Sequence, residues 1–569
     1  MATPLSGLLR RDRPLVTLLV LSCVVSVVLY PLAFSNSPRT AVIEDPRLNN
    51  IDRTGDKPRA IWRDDDFECL GWRATHSCDP HGPRDYSRDR ACDQPLSRTS
   101  GFCQVRNRTS GELFRVMLST CSSWWWKKVP TLTCSDARRF TDFSILATQY
   151  KHPVSPLAAV QRDSKKKPDL RRGVVMIAYP KVIAGTYAIV RMLRHHGCTL
   201  PVEIWIDRSE MQETHSILVE LSRNYNVFVR VIEDPNATKF HAKPYVVYHT
   251  HFESLLFLDS DNIPLRDPTY LFDSHAFAKF GTIFWPDFWK PALDNPFNVH
   301  QQSALWQLLD MPFIDMFEQE SGQLLVNRTR SKSALNKLMF YAANAPRLLT
   351  DWELVYGDKD LFRLAWLNTT TPFYFGQHLL ALGGLYDDGE DFFCGLAMVQ
   401  QDQQGEFVFL HRNQAKLSGR RDQKVLITHF QKFTGDDASS SKSQLDKYRV
   451  QCKRHRLGQN MCFLLNPKTP AGEPTPLHTQ SLVGTKYPQL EQRAIHFSIE
   501  GRSLLSEVEE AAIAAMEATE QPRASVVLSI LRVVCVLLAL SAALGLLWKL
   551  FLLPWVRRRR PQKDRRFSM

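Results

Sequence analysis

Short apolar runs rich in β-branched or aromatic residues recur from residue 173 onward, and helix-length segments separate them. Four of them lie at Gly173–Tyr179, Val202–Ile206, Val227–Val231 and Ser254–Leu258. Strands of that length joined by helical crossovers predict a parallel sheet with helices on both faces. The sequence therefore predicts an α/β, Rossmann-like fold with a mostly parallel sheet. In such sheets ligands bind beyond the carboxyl ends of the strands.

Asp259 and Asp261 directly follow the fourth run, in the sequence Asp-Ser-Asp-Asn. Two carboxylates separated by one residue at a strand end can converge on a hard divalent cation and a diphosphate. An ordinary Asx turn is the alternative explanation of the same pattern. The phosphate-binding patterns GxxxxGK and GxGxxG and the hydrolase patterns HExxH and GxSxG are missing. We therefore expect a site for a metal and a nucleotide sugar.

Two long apolar runs flank this region, at residues 15–34 and 526–556. Each is long enough to cross a hydrocarbon core of roughly 30 Å as a helix. A cleaved signal peptide is the alternative for the first run, and a buried core helix is the alternative for the second. We expect a signal anchor at 15–34 and a second transmembrane helix at 526–556, where Arg532 and Lys549 lie near the two ends.

Most of the net charge of +13 belongs to the second run and the two tails, 1–14 and 557–569. Nucleic-acid binding is therefore not expected. The positive-inside rule predicts that both tails are cytosolic and that 35–525 is luminal. Glycosylation sequons between the two runs give mild support to that topology, at Asn107, Asn236, Asn327 and Asn368.

Six cysteines lie within 66 residues and show no zinc-type CxxC spacing: Cys69, Cys78, Cys92, Cys103, Cys121 and Cys134. This pattern predicts a disulfide framework, although the sequence does not choose among fifteen pairings. Cys452 and Cys462 could close a small local loop. Cys198 and Cys394 are interpreted as core thiols, with a bond between them as the alternative.

Composition divides the luminal part into five segments. They are a stem at 35–66, a Cys-rich module at 67–136, a linker at 137–172, a catalytic domain at 173–465 and a luminal linker at 466–525. The module contains Trp124, Trp125 and Trp126, which we interpret as a small core or docking face. A platform for stacking sugars is the alternative.

Five segments carry a family resemblance: SLLFLDSDNIPLRDPTYLFDS, GTIFWPDFW, EQESGQLLVNR, YGDKDLFRLAW and CGLAMVQQDQQGEFVFLHRNQAK, in this order. Over about 173–432 the chain resembles the fungal Golgi α-mannosyltransferases of the Mnn type. The resemblance implies a nucleotide-diphospho-sugar transferase fold of the GT-A type and a Golgi membrane location. The Cys-rich module and the second apolar run depart from the usual layout of that family.

The resemblance also implies a ligand set. Asp259 and Asp261 match the metal motif of the family, which implies a divalent cation, Mn²⁺, on the diphosphate of GDP-mannose. His411 and Lys416 match a late histidine and lysine of the related glycogenin-like transferases. The match implies that His411 is a third metal ligand and that Lys416 contacts the diphosphate. A structural role at a strand end is the alternative for His411.

Further polar residues lie next to predicted strands and helices. Asp287, Gln323 and Asp358 are predicted catalytic residues that position the sugars. Helix N-capping is a second role for Asp358. The predicted substrate-binding residues are Trp285, Glu320 and Asp360, together with Asp259, Asp261 and Lys416. Trp289 completes the segment FWPDFW with Trp285 and Asp287, and core packing explains its tryptophans about as well as sugar contact.

The resemblance implies a metal-dependent, retaining α-mannosyltransferase with an α-1,2 or α-1,3 linkage. Its partners would be GDP-mannose and a glycan or glycoprotein acceptor in the secretory pathway. Two alternatives remain open at this stage. A transferase of the same fold could use a UDP-sugar, because the Asp-x-Asp pattern binds the metal and the diphosphate and does not contact the nucleobase of the donor. A non-catalytic, lectin-like membrane protein could instead bind glycans through the Cys-rich module.

Overall fold

The architecture is taken from a computed structural model, which describes residues 55–56, 60–125, 128–154, 171–291, 297–414, 416–433, 450–455, 461–465 and 477–517. The chain divides into the units Met1–Gly55 and Asp56–Met569, and every element described below belongs to the second. The two predicted membrane spans, 15–34 and 526–556, lie outside the described residues. Within the described ranges, no helix has both the length and the apolar character needed to cross a membrane.

The elements are numbered in chain order. The first part contains β1 (Phe67–Ala74), β2 (Gly101–Asn107), β3 (Leu113–Ser119) and α1 (Ala137–Gln149). The next part contains β4 (Arg172–Ile177), α2 (Ile183–His195), β5 (Val202–Ile206), α3 (Ser216–Asn224), β6 (Val227–Val231), α4 (Ala242–His249) and β7 (Ser254–Leu258).

The chain continues through a mixed part and a part composed mostly of strands. The mixed part contains β8 (Asn262–Pro264), α5 (His275–Phe280), β9 (Thr282–Pro286), α6 (Ala304–Leu308), β10 (Gln319–Asn327), α7 (Lys332–Ala343), α8 (Leu348–Asp351) and α9 (Lys359–Asn368). The last part contains β11 (Tyr374–Phe375), β12 (Ala381–Asp387), β13 (Phe392–Gln401), β14 (Phe407–His411), β15 (His429–Phe433), β16 (Val450–Lys453), β17 (Cys462–Leu465), β18 (Leu477–Ser481) and α10 (Leu490–Arg502).

The central sheet has the strand order β11-β9-β10-β7-β4-β5-β6. Strands β7, β4, β5 and β6 are parallel, as predicted, and three of them have the predicted bounds. The strand β10 runs antiparallel to its neighbours β7 and β9. Parallel strands are usually covered on both faces, so their sequences are continuous apolar runs. Such runs allow the strands to be predicted from the sequence.

A second sheet, which the sequence analysis did not predict, has the strand order β16-β17-β13-β12-β15-β18. All its pairings are antiparallel. The strand β14 pairs with β13 on one side and with β8 on the other. Since β8 directly follows the Asp-x-Asp segment, this pairing brings the end of β14 to the same place. The fold is therefore α/β with one mixed and one antiparallel sheet.

Parts of both predicted linkers have regular structure. The helix α1 occupies the start of the 137–172 linker, and Phe143 packs edge-on against Phe340 of α7, with ring centroids 5.2 Å apart. The strand β18 and the helix α10 lie in the 466–525 linker. Tyr187 of α2 donates a hydrogen bond of 2.8 Å to Glu500 of α10. Both predictions of a linker are therefore wrong for these stretches, which bury apolar side chains against the rest of the fold.

The Cys-rich module is an antiparallel sheet in which β2 lies between β1 and β3. Its six cysteines pair among themselves, as predicted, in the bonds Cys69–Cys92, Cys78–Cys121 and Cys103–Cys134. Trp124 is buried and packs edge-on against Trp352, with ring centroids 5.7 Å apart. This contact agrees with the interpretation that Trp124 belongs to a small core or docking face. Trp126 lies outside the described residues.

Cys462 forms a disulfide with Cys394, so the predicted loop between Cys452 and Cys462 is wrong, and so is the interpretation of Cys394 as a core thiol. In the β16–β17 hairpin Cys462 lies opposite Lys453, and Cys452 lies opposite Phe463. Paired residues share a face and neighbours alternate, so the two cysteines point to opposite faces. Cys452 is an exposed free thiol and Cys198 is a buried one, in agreement with the interpretation of Cys198 as a core thiol.

Candidate metal and nucleotide-sugar site

The segment after β7 is anchored on the neighbouring strand β10. The backbone N–H of Asp259 donates a hydrogen bond of 2.9 Å to the carbonyl oxygen of Gly322. Asn262 Nδ2 donates to the same carbonyl at 2.8 Å and to Gln323 Oε1 at 2.6 Å. In this part of the chain, neither Asp259 nor Asp261 accepts a side-chain hydrogen bond from a backbone N–H of its own turn. The contacts favour a ligand site over an Asx turn.

The pairing of β14 with β8 brings His411 to this segment. His411 lies opposite Asn262 in the register, and its Nε2 is 3.2 Å from Oδ1 of Asp261. The backbone N–H of Arg412 donates to the carbonyl oxygen of Asp261 at 2.9 Å. The Arg412 guanidinium is buried and contacts Glu491 of α10 at 2.8 Å. The position of His411 is therefore fixed by strand pairing and by a buried ion pair behind it.

Asp259, Asp261 and His411 each offer a ligand atom, and these atoms lie within 4.8 Å of one another. A Cβ atom added to Gly322 would lie 2.7 Å from Cε1 and Nδ1 of His411, so this glycine leaves room for the ring. The buried Nδ1 of His411 has no hydrogen-bond partner in the described part of the chain. Two carboxylates and an imidazole are a donor set that suits Mn²⁺, so these residues fit the implied metal.

The charges in the cluster set its protonation. Burial lowers the pKa of His411, but the carboxylates of Asp261 and Glu320 raise it more, to about 9. Burial likewise raises the pKa of Asp261, but the positive charges of His411 and Lys416 hold it well below its usual range. Without a metal the imidazole is thus a cation paired with Asp261. A metal ion would compete with the proton for the same nitrogen.

Lys416 provides the open side of the cluster. Its Nζ lies 3.0 Å from Oδ2 of Asp261, and its side chain is 48% exposed. A cation that is half exposed beside a buried carboxylate can contact an anionic ligand that approaches from solvent. The predicted contact of Lys416 with a diphosphate stays a prediction.

Lys243 of α4 is a site residue that the sequence analysis missed. Its buried Nζ lies 3.0 Å from Oδ2 of Asp259 and 3.2 Å from Oδ2 of Asp358. It also donates to Oγ of Ser321 at 3.1 Å. Burial lowers its pKa, but the charges of Asp259 and Asp358 raise it more, so the ammonium is retained. The sequence feature that could have identified Lys243 is that it is a single lysine among the mostly apolar residues of this helix.

A second missed lysine, Lys359, holds Asp287. Its Nζ lies 2.6 Å from Oδ2 of Asp287 and 2.5 Å from Oε2 of Glu318. Burial raises the pKa of Glu318 to about 7, although the Lys359 charge opposes that shift. Asp287 is buried as well, so its carboxylate is held in place by this ion pair. The arrangement fits a carboxylate that orients a sugar.

Glu320, predicted to bind substrate, and Asp358, predicted to be catalytic, lie beside His411 and Lys243. Oε1 of Glu320 lies 3.7 Å from His411 Nδ1 and accepts a hydrogen bond of 2.5 Å from the backbone N–H of Gly322. Asp358 occupies the N-cap position of α9, but its carboxylate makes no capping hydrogen bond. It faces Lys243 instead.

Two predicted substrate-binding residues are core residues, and these predictions are wrong. Trp285 is 2% exposed, donates from Nε1 to the carbonyl oxygen of Gln401 at 2.9 Å and packs edge-on against Phe409. It lies in a strand buried on both faces and offers no ring face to a sugar. Asp360 is fully buried and contacts Arg363 at 2.6 Å, one helical turn away.

Gln323 lies behind the Asp-x-Asp segment and not on its open side. Its side chain is fully buried, and its Oε1 accepts the hydrogen bond from Asn262. The prediction that it positions a sugar directly does not agree with this placement. It supports the turn that carries Asp259 and Asp261.

Sequence comparison identifies relatives of the central part of the chain. Residues 171–402 match the model of a protein family described as "Mannosyltransferase putative". The chain is 26% identical over 306 residues to the alpha-1,2-mannosyltransferase MNN21 of Candida albicans, covering 45% of this chain and 46% of that protein. It is 27% identical over 271 residues to the alpha-1,2-mannosyltransferase MNN2 of Saccharomyces cerevisiae, covering 40% and 45%. The chain spans about half the length of these relatives.

A crystal structure of the galactosyltransferase LgtC with donor and acceptor sugar analogs is also similar, at 14% identity. The similarity covers 36% of this chain and 73% of that one, with a TM-score of 0.25. A score this low does not establish a shared fold. The sequence matches are more informative: residues 171–402 match the mannosyltransferase family model, and this part of the chain is similar to fungal alpha-1,2-mannosyltransferases.

Proposed function

We propose that this protein is a metal-dependent glycosyltransferase that transfers mannose from GDP-mannose to a glycan or glycoprotein acceptor. The convergence of Asp259, Asp261 and His411 beside Lys416 carries the proposal. The fold we propose for the catalytic domain is the nucleotide-diphospho-sugar transferase fold of the GT-A type. The parallel strands β4 to β7, with the cluster at the carboxyl end of β7, support it.

Asp259, Asp261 and His411 would hold the divalent cation, which we propose is Mn²⁺. When bound, the cation supplies positive charge that stabilises a departing diphosphate. Lys416 adds a second positive charge on the open side of the cluster. Lys243 keeps the carboxylates of Asp259 and Asp358 oriented, so the charges are in place before the donor binds.

The acceptor hydroxyl would attack from the side of the leaving group, so that the product keeps the α configuration of the donor. The departing phosphate takes the acceptor proton in this scheme, and no strong protein base is needed. Asp287 and Asp358, each held by a buried lysine, would orient the sugars. The curated relatives are named as alpha-1,2-mannosyltransferases, which supports an α-1,2 linkage.

We also propose that the catalytic part faces the Golgi lumen and that both termini are cytosolic, with membrane spans at 15–34 and 526–556. The basic tails and the apolar runs of the sequence support this topology. The four disulfides among the described residues support an oxidising compartment.

The test is a donor panel with the purified full-length chain, with Mn²⁺ and with EDTA. We expect mannose transfer from GDP-mannose to an α-mannoside acceptor, and no transfer when EDTA removes the metal. Preferential use of UDP-galactose or UDP-glucose would replace the proposed donor with a UDP-sugar. Glycan binding without consumption of any donor would indicate a lectin-like protein. Equal transfer with Mn²⁺ and EDTA would contradict the metal site.

A further inference from the structure

Exposed aromatic side chains are concentrated around the candidate site. Among the described residues, the large aromatic side chains classed as exposed are Tyr86, Tyr179, Phe240 and Tyr356. Tyr86 lies in the Cys-rich module, whereas burial raises the pKa of Tyr179 and the charges of Lys416 and Asp261 also act on that pKa. Phe240 precedes Lys243 by three residues, and Tyr356 precedes Asp358 by two. Since Lys243 contacts Asp358 at 3.2 Å, the two segments that carry these rings meet at one ion pair of the site.

These two rings belong to a larger group. The Phe297 ring lies 4.7 Å from the Tyr356 ring and 5.8 Å from the Trp289 ring. Phe240 lies over Gly357, because a Cβ atom added there would be 3.1 Å from the ring. We call this group the aromatic strip: Trp289, Phe297, Tyr356 and Phe240. Tyr356 is 60% exposed and Phe240 is 54% exposed, so the strip keeps open ring surface at the end nearest Asp358.

The strip is continuous with the charged groups that hold the site together. Lys359 Nζ lies 4.1 Å from the centroid of the Phe297 ring and also contacts Asp287. Asp358 is buried, and its Oδ2 lies 3.2 Å from Nζ of Lys243. The ion pair between Lys243 and Asp358 thus lies where the strip meets the cluster.

We infer that the aromatic strip binds the acceptor glycan, with its pyranose rings stacked on Tyr356 and Phe240 and its reacting end toward Asp358. A pyranose presents an apolar C–H face, which an exposed aromatic ring can cover, and hydroxyl groups at its edge, which carboxylates bind. An exposed patch of this kind beside a polar site marks a binding surface. This inference rests on the proposed function and assigns its acceptor as an oligosaccharide chain.

The test compares Tyr356→Ala and Phe240→Ala with the wild-type protein in transfer from GDP-mannose to methyl α-mannoside and to α-linked mannotetraose. Each substitution should raise KM for the tetraose at least about tenfold, which corresponds to about 1.4 kcal/mol. KM for GDP-mannose should change less than twofold. Tyr356→Phe, which keeps the ring, should restore the low KM. Tyr86→Ala removes a ring of similar exposure, 58%, from the Cys-rich module and should have no effect.

Saturation-transfer NMR with mannotetraose alone separates this inference from the proposed function. If the wild-type protein binds the tetraose and Tyr356→Ala does not, the strip is a glycan site even where no donor is consumed. If transfer from GDP-mannose occurs and both alanine variants keep the wild-type KM for the tetraose, the inference is wrong and the proposed function stands. Saturation transfer that is equal in wild-type and Tyr356→Ala protein would also overturn it.

Discussion

His411 Nε2 lies 3.2 Å from Oδ1 of Asp261, although 150 residues separate the two in the chain. The contact exists because β14 joins the edge of the short strand β8, so the second sheet brings its histidine to the end of the first. The candidate site therefore depends on the pairing of β14 with β8, both in the second sheet, as much as on the Asp-x-Asp segment itself.

Replacing Gly322 by alanine should weaken metal binding without unfolding the protein. The added Cβ would lie 2.7 Å from the His411 ring and displace it from Asp261. We expect the Mn²⁺ concentration for half-maximal transfer to rise at least about tenfold, or about 1.4 kcal/mol. Gly389→Ala is the control, since its Cβ would meet only the Asp387 carboxylate, at 3.3 Å. An unchanged Mn²⁺ requirement in Gly322→Ala would show that His411 is not a ligand.

Lys243→Met should destabilise the fold when EDTA is present. The substitution leaves the carboxylates of Asp259 and Asp358 buried or half-buried beside each other without their cation. Removing one partner of a buried ion pair costs about 3 kcal/mol, which thermal unfolding should detect as a lower Tm. Lys424→Met, at an exposed position, is the control.

A double variant tests whether uncompensated carboxylate charge causes the lower Tm of Lys243→Met. Lys243→Met combined with Asp358→Asn removes one of the two uncompensated charges, so its Tm should lie above that of Lys243→Met alone. A Tm for the double variant below that of Lys243→Met would contradict the role of the ion pair.

Cysteine mapping without reduction should find four bonds and two thiols within the described residues. The bonds are Cys69–Cys92, Cys78–Cys121, Cys103–Cys134 and Cys394–Cys462. An alkylating reagent should label the exposed Cys452 in the native protein and the buried Cys198 only after denaturation. A peptide that joins Cys452 to Cys462 would contradict the hairpin register.

The central sheet was predictable because the parallel strands β4, β5 and β7 are mostly buried and are therefore short apolar runs, and the edge strand β6 is rich in valine. Asp259 and Asp261 were predictable because they follow such a run. Lys243 and Lys359 were missed because a lysine in a helix is usually solvated, and only the fold shows the carboxylates that surround it. The bond from Cys394 to Cys462 spans 68 residues and depends on the pairing of β13 with β17, which no local pattern specifies.

Trp285 was predicted as a site residue, but the structure places it in the core. Its neighbours in FWPDFW suggested a sugar site, but Trp285 lies in a strand covered on both faces, so the ring is core. Trp289, three residues beyond the end of β9, is only partly buried and belongs to the aromatic strip. The same residue type thus has two roles within five positions, and the end of the strand decides between them.

The most direct test of the central claim compares Asp261→Asn with Asp267→Asn in mannose transfer from GDP-mannose with Mn²⁺. Asp267 makes an Asx turn, accepting a hydrogen bond of 2.9 Å from the backbone N–H of Thr269, and asparagine can replace it there. Asp261 instead faces His411 and Lys416, where asparagine keeps the shape but loses the charge that holds a cation.

We predict normal expression and folding for both variants. Asp267→Asn should keep wild-type transfer, and Asp261→Asn should lose at least about a hundredfold, on the order of 3 kcal/mol in the barrier. Near-normal transfer by Asp261→Asn would contradict the metal and nucleotide-sugar site.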